Sequence, residues 1–158
     1  MAIRIPTLSI GLACLAGCAV FQPEARPQSD APSDAPAPLT QTRAPPPGAT
    51  TVDEFDTTSA SDRRQALQGD GATGRKLGKT IASLGDVAQP GIWIKTPLVR
   101  EAGRGRVVDP GTGTVVTLDL LPLDGAPGSG SRLSLAAMRL IGSSLTDLPE
   151  LEVYALSQ

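Results

Sequence analysis

The chain has 158 residues, a formal net charge of −2 at pH 7 and no histidine. The missing imidazole excludes every mechanism that needs histidine as a base, an acid or a metal ligand. The balanced charge and an aromatic content of 3% argue against a nucleic-acid partner, because such partners are held by basic surfaces and stacked rings. The length allows one modest domain.

The first 18 residues have the organisation of an export signal. Arg4 supplies a positive charge, and residues 5–16 form an apolar run. A run of about 12 residues suits a signal peptide and is too short to span a bilayer as a helix, which takes about 20 residues. The run leads into Leu-Ala-Gly-Cys at residues 15–18, which resembles the lipobox of bacterial lipoproteins. The sequence therefore predicts a lipoprotein signal peptide over residues 1–17.

This resemblance implies cleavage between Gly17 and Cys18 and attachment of acyl chains to Cys18. Each buried CH₂ group contributes about 0.8 kcal/mol, so two or three chains anchor a protein stably. Cys14 would be removed with the signal, which leaves no free thiol in the mature chain. Ala19 directly follows Cys18. The resemblance to bacterial lipoproteins implies that retention in the inner membrane would require Asp at this position, so we expect an outer-membrane protein facing the periplasm. The alternative is an ordinary secretory signal with an incidental cysteine.

Residues 18–51 are expected to comprise the lipidated cysteine followed by a disordered linker rich in Ala and Pro. Eight prolines lie between residues 19 and 50, mostly among Ala, Ser, Thr, Gln and Asp. Proline removes backbone donors and favours extended polyproline geometry. A stretch without apolar periodicity cannot bury enough surface to offset the entropy of ordering it. We expect this linker to hold a small globular domain, residues 52–158, away from the membrane.

The domain begins with a predicted helix over residues 60–68. Ser and Thr precede it, Asp62 lies in its first turn and Gly69 ends it, which are start and stop signals of helices. Only Ala66 and Leu67 are candidates for burial, so the helix is expected to be peripheral.

Most of the remaining domain has the pattern of β-structure. Alternation and turn residues predict the strands, with one strand ending or forming an edge at Pro97, which has no backbone donor. Ser134 and Gly142 are the expected caps of a second helix. The expected elements are a Gly-rich loop at 69–78, strands at 79–84 and 92–99, a hairpin at 106–121, an irregular loop at 122–130, a helix at 132–142 and a strand at 151–156.

Several stretches between about residues 78 and 156 resemble rare lipoprotein A, a family with a double-psi β-barrel domain. Residues 80–96 are similar to the family's Thr-Ala-Ala-His and Leu-Pro-x-Gly-Thr-x-Val-x-Val-Thr, and residues 113–128 to its strand followed by Asn-Asp-Arg-Gly-Pro. Residues 132–137 are similar to the end of Ile-Asp-Leu-Ser-x-Ala-Ala. The resemblance implies a mainly β fold with short helices, a small double-psi-like β-barrel behind the linker.

The residues that would make a member of this family an enzyme are missing. The family's proposed lytic residues are a Glu, an Asp and a His, but Ser83 stands at the His position and Asp70 is the only carboxylate in residues 69–80. Glycosidic cleavage needs a positioned acid, and Asp124 is the single catalytic candidate. The resemblance thus implies a non-catalytic binding or scaffolding domain. The alternative is a divergent lytic glycosidase or transglycosylase acting on cell-wall glycan.

Four other side chains are candidates for binding. Trp93 would stack on a sugar if it points outward and would belong to the core if it points inward. Arg100, Arg104 and Arg106 lie around a Gly-rich turn, where they would either grip an anionic polymer or belong to a solvated hairpin with nearby carboxylates. The acidic residues 53–56 are expected to be solvated rather than to bind a metal. No cofactor is expected, and the expected partners are the membrane and either peptidoglycan or an envelope protein.

Overall fold

Six β-strands close into a barrel in the computed structural model of this protein, which describes residues 43–69 and 73–157. The expected signal peptide, Cys18 and most of the expected linker lie outside the described residues. The elements are α1 (Val52–Phe55), α2 (Ala60–Gln68), β1 (Gly74–Leu84), β2 (Trp93–Thr96), β3 (Gly103–Val108), β4 (Val115–Pro122), β5 (Ser131–Leu133), α3 (Leu135–Ile141) and β6 (Glu150–Leu156).

The strands follow one another around the barrel in the order β1-β5-β2-β4-β3-β6, and β6 closes it on β1. The pairs β1–β5 and β2–β4 are parallel, and the other neighbouring pairs are antiparallel. Exchanging β1, β2 and β3 with β4, β5 and β6 reproduces the same pairs, so two equivalent halves of the chain interlock. The expected small, mainly β, double-psi-like barrel with short helices is confirmed as a closed six-stranded barrel.

The core of the barrel is aliphatic. Alternate residues of each strand point inward, as the two-residue period of a strand requires. Met138 and Ile141 of α3 join the same buried cluster, so this helix is packed against the barrel rather than solvated. The fully buried strand residues include Ile94, Val107, Val116, Leu118, Leu133, Leu151 and Val153.

The predicted helix caps are present. The Ser59 hydroxyl accepts a hydrogen bond from the Asp62 amide, and the Asp62 carboxylate accepts one from the Ser59 amide. The Ser134 hydroxyl caps α3 by accepting a hydrogen bond from the Ala137 amide, and Gly142 ends that helix in the left-handed conformation at φ 79°. No helix within residues 43–69 and 73–157 has both the length and the apolar character needed to cross a bilayer.

The expected loop at residues 69–78 is wrong for its second half. β1 already begins at Gly74, because residues 74–76 pair with residues 154–156 of β6. The register shifts between Lys76 and Gly78, so a bulge interrupts the strand there. The partner strand supplies backbone hydrogen bonds that the Gly-rich composition does not predict.

Three further expectations differ from the structure. β2 ends at Thr96 instead of residue 99, because Pro97 cannot donate to a ladder. The helix expected over residues 132–142 begins only after Ser134, since Ser131–Leu133 pairs with both β1 and β2. Leu67, an expected candidate for burial, is 48% exposed, and α2 buries Ala66 instead. The expected hairpin is confirmed by the antiparallel β3–β4 pair.

Candidate functional site

A cleft of about 540 Å³ opens where the end of β1 meets the start of β5 and the loop between β4 and β5. We refer to it as the Arg132 cleft. Residues of β1 and β5 form one side of it, and the exposed Gly-rich loop between β4 and β5 forms the other. Its walls include the polar residues Ser83, Asp124, Ser129, Ser131 and Arg132 and the apolar residues Ile81, Leu123 and Leu148.

Strand pairing brings Ser83 and Arg132 together. The two residues are directly opposed in the parallel β1–β5 pair, and their neighbours Ala82 and Leu133 are fully buried, so both side chains lie on the outer face. Nη1 of Arg132 donates a hydrogen bond of 2.6 Å to the Ser83 hydroxyl. This bond fixes one edge of the guanidinium group, and no salt bridge occupies Arg132 within the described residues.

A second cation lies beside Arg132. Lys95 of β2 is directly opposed to Arg132 in the antiparallel β2–β5 pair. The ammonium group of Lys95 is 5.1 Å from the centre of the Trp93 ring, and no carboxylate in the described part of the chain pairs with it. Like charges opposed across two strands repel each other. Arg132 therefore lines the cleft with a second cation opposed to it on the next strand, and neither cation has a carboxylate partner among the described residues, although Lys95 does not itself line the cleft.

Asp124 is the only carboxylate among the described residues that line the Arg132 cleft. It is exposed on the loop between β4 and β5, and no salt bridge joins it to Arg132. Asp124 also lines a second cleft of about 240 Å³, whose lining includes the exposed Arg100. The candidate catalytic residue thus stands between two clefts that each contain an arginine.

The other candidate binding residues do not line the Arg132 cleft. Trp93 is 3% exposed, and its indole Nε1 donates to the Gln89 carbonyl at 3.3 Å, so its ring is not open to a sugar. Arg104 and Arg106 lie on β3, with their Nε atoms buried. The Arg106 guanidinium lies 4.9 Å from the centre of the Tyr154 ring. Trp93, Asp124 and the three arginines therefore do not form one groove.

Lysines of β1 form salt bridges with glutamates of β6 on the outside of the barrel. Lys76 Nζ lies 2.7 Å from Glu152, and Lys79 Nζ lies 2.8 Å from Glu150. The hydrogen bonds from Lys76 and from the Tyr154 hydroxyl lower the pKa of Glu152. The Glu152 carboxylate in turn raises the pKa values of Lys76 and Tyr154. Because these charges are paired, this face is a weaker binding candidate than the Arg132 cleft.

The sequence offered Asp124 as a candidate and placed Ser83 at the His position of the resembled family, but Arg132 was not among the predicted site residues. The signal was present, because Arg132 precedes Leu133-Ser134 where the resembled motif has Asp before Leu-Ser. That Arg132 lies opposite Ser83 could not be predicted from the sequence, since the register of two strands about 50 residues apart depends on the whole barrel.

Asp53, Glu54 and Asp56 each contact other groups of the protein. Asp56 is not solvated as expected, because Arg63 and Arg139 cover its carboxylate, whose side chain is 1% exposed. Among the described residues, no group of three or more acidic, cysteine or histidine side chains could hold a metal ion. No family model, curated protein or solved structure matches the chain.

Proposed function

We propose that this chain is a lipid-anchored protein of the cell envelope whose barrel binds peptidoglycan without cleaving it. The observation that carries the proposal is the composition of the Arg132 cleft. Hydroxyl groups, an arginine and apolar side chains line it together, but Asp124 is the only carboxylate among its described lining residues. Such a surface can hold a ligand through directed hydrogen bonds while lacking the paired groups of a hydrolase.

Cleavage of a glycosidic bond requires proton transfer, for which the cleft has few suitable groups. Most glycoside hydrolases place two carboxyl groups on either side of the bond, one as an acid and one as a base or nucleophile. Ser83 and Arg132 occupy the positions where the resembled motifs have His and Asp. Arginine keeps its proton in proteins, and a serine hydroxyl needs a neighbouring base before it can react. This pair is suited to binding and not to acid–base catalysis.

The amino-terminal sequence supports a place next to the cell wall. The lipobox-like residues 15–18 predict a lipid anchor, and the proline-rich residues 19–50 follow it directly. In fully polyproline geometry, at about 3.1 Å per residue, some 30 residues reach about 90 Å at most. A tether of this length would let a barrel anchored in the outer membrane reach the peptidoglycan layer.

Sedimentation with purified sacculi tests the proposal. A soluble chain of residues 19–158, which lacks Cys18, is mixed with sacculi and pelleted beside a control protein of similar size and charge. We expect enrichment in the pellet over the control protein. Equal pelleting of the two proteins would overturn peptidoglycan binding and would direct the search to an envelope protein as the partner.

The enzymatic alternative is a divergent lytic glycosidase that uses Asp124. The observation in its favour is that Asp124 lines the Arg132 cleft. Incubation of the same soluble chain with sacculi is expected to release no soluble fragments. Release that disappears in Asp124→Asn, with binding retained, would replace the binding proposal by this one.

A further inference from the structure

We infer that the Arg132 cleft recognises a short peptide with a free carboxylate, the chemistry of the peptide stems of peptidoglycan, and not the bare glycan. The inference rests on the proposed function, because it names the part of the polymer that the cleft would bind. Three observations lead to it: Arg132 in the cleft without a salt bridge and with Lys95 opposed to it on the next strand, exposed apolar side chains in the cleft wall, and a separate carboxylate.

The cations call for an anionic ligand. Arg132 and Lys95 are directly opposed on neighbouring strands, and neither forms a salt bridge within the described residues. A bound carboxylate would remove their mutual repulsion. The Ser83 hydroxyl holds Nη1 of Arg132 at 2.6 Å and so orients the planar guanidinium group. A guanidinium held in this way can bind a carboxylate with two parallel hydrogen bonds.

The apolar walls favour a peptide over a sugar. Ile81 is 55% exposed and Leu148 is 66% exposed, although both are large apolar residues and both line the cleft. Sites that hold a neutral sugar ring commonly stack it on an aromatic side chain, but the described lining of this cleft contains none. The ring of Trp93 is buried. Methyl groups of a peptide would cover Ile81 and Leu148 and remove their surfaces from water.

Asp124 provides the third observation. It lines the same cleft without a salt bridge to Arg132, so the two opposite charges are separately available to a ligand. A ligand with both a carboxylate and an ammonium group would satisfy both residues at once. Peptide stems with a diamino acid have this combination, and glycan strands without their stems do not.

Two measurements test the inference. The ¹⁵N-labelled soluble chain, residues 19–158, is titrated with the tripeptide L-alanyl-γ-D-glutamyl-meso-diaminopimelate and followed by NMR. The same chain is pelleted with intact sacculi and with sacculi whose peptides an amidase has removed. We expect shifts of amides around residues 81–83 and 123–132, and loss of pelleting when the peptides are removed.

Variants make the test specific. Arg132→Gln is expected to weaken tripeptide binding about tenfold or more, because a charge-assisted hydrogen-bonded pair is lost. Asp124→Asn should weaken it separately. Arg75→Gln, an exposed arginine of β1 that does not line the cleft, is the matched control and should bind as the unchanged chain does. Circular dichroism of each variant establishes that the barrel is folded.

The failure of the inference can be told from the failure of the proposed function. Equal pelleting with intact and peptide-free sacculi, with no tripeptide shifts, would overturn the inference and leave peptidoglycan binding standing. A lack of pelleting with intact sacculi would overturn the proposed function, whatever the tripeptide does. Weakening by Arg75→Gln as large as that by Arg132→Gln would reduce the interaction to general charge attraction and would also overturn the inference.

Discussion

The buried Ser134 hydroxyl accepts a hydrogen bond of 3.1 Å from the backbone amide of Trp93. The same oxygen accepts a bond of 3.2 Å from the Ala137 amide and so caps α3. One side chain therefore serves a helix and the strand β2 at once. This double role gives a structural reason for the serine of the Leu-Ser-x-Ala-Ala pattern that is independent of any reaction.

Replacing this hydroxyl should destabilise the barrel. Ser134→Ala leaves the Trp93 amide without its side-chain acceptor and removes the cap of α3, so we expect a loss of about 1–3 kcal/mol in the free energy of unfolding. Ser59→Ala is the matched control, because it removes the exposed cap of α2 and should cost about 1 kcal/mol or less. Urea denaturation measures both. Equal losses in the two variants would contradict the role of Ser134 as a link.

The close approach of β3 to its neighbours requires Gly105. A Cβ atom at this position would lie 2.5 Å from Leu120 Cγ and 2.6 Å from the Tyr154 carbonyl oxygen. Since the carbonyl belongs to the backbone of β6, it cannot move away without disturbing the pairing. Gly105→Ala should therefore lower the free energy of unfolding by about 2 kcal/mol or more.

Gly103 provides the control on the same strand. A Cβ atom there meets nothing within 4 Å, so Gly103→Ala should change the free energy of unfolding by no more than about 0.5 kcal/mol. Thermal and urea unfolding of the two variants check the contrast. If Gly103→Ala proved as destabilising as Gly105→Ala, a general need for glycine in β3 would replace the steric explanation.

Local features of this fold were predictable from the sequence because neighbouring residues determine them. The Ser59–Asp62 capping box, the Ser134 cap and the turn at residues 109–113 each depend on groups a few positions apart. The start of β1 at Gly74 and the strand Ser131–Leu133 were not predictable in this way. Both depend on partner strands many residues away, which replace local propensity with ladder hydrogen bonds.

The same distinction applies to the candidate site. Motif comparison offered Asp124 as a catalytic candidate and placed Ser83 where the resembled family has His, and both residues line the Arg132 cleft. Arg104 and Arg106 were grouped with Arg100 because they are close along the chain. In the structure they lie on β3, which pairs with β4 and β6, whereas Arg100 lines the second cleft beside Asp124. Arg132 was missed because its partner Ser83 comes from β1, and only the parallel register opposes the two.

A buried carboxylate joins the segment before α2 to the rest of the domain. The Asp56 carboxylate lies 3.1 Å from Arg63 and 3.0 Å from Arg139, and the side chain is 1% exposed. Asp56→Asn removes the charge that both guanidinium groups face, and we expect a loss of about 1–3 kcal/mol, moderated because both arginines reach solvent.

Asp53 is a control for this prediction. It also pairs with Arg139 at 3.0 Å, but its side chain is 85% exposed. Water screens such a pair, so Asp53→Asn should cost less than about 0.5 kcal/mol. Urea denaturation compares the two variants. Similar stabilities would show that the burial of Asp56 adds nothing to its ion pairs.

The paired charges of β1 and β6 predict a pH dependence. The pKa of Glu152 is lowered, chiefly by the hydrogen bond from Lys76. Its stabilising contribution is therefore present above the ordinary glutamate pKa and is lost as the pH falls through the lowered value. The pKa of Lys76 is raised, chiefly by Glu152. That contribution is present at neutral pH and is lost as the pH rises through the raised value.

Glu152→Gln should remove both contributions. We expect the melting temperature of the variant to fall below that of the unchanged chain near neutral pH, and the difference to vanish in acid, where Glu152 is protonated. Salt should reduce the difference, because the pair is exposed to solvent. Glu101→Gln, an exposed carboxylate between β2 and β3, is the control. A difference that persists unchanged from neutral pH to below the lowered pKa would contradict the ion-pair explanation.

The lipid anchor makes a prediction that does not depend on the barrel. Cys18 should incorporate labelled palmitate in cells, and Cys18→Ser should abolish the label while Cys14→Ser retains it, because only Cys18 follows the lipobox-like residues. Since each buried CH₂ contributes about 0.8 kcal/mol, the lipidated chain should resist extraction by high salt and yield to detergent. Globomycin, which blocks the lipoprotein signal peptidase, should accumulate the precursor. Unaltered processing under globomycin, with equal label in Cys18→Ser, would favour an ordinary secretory signal.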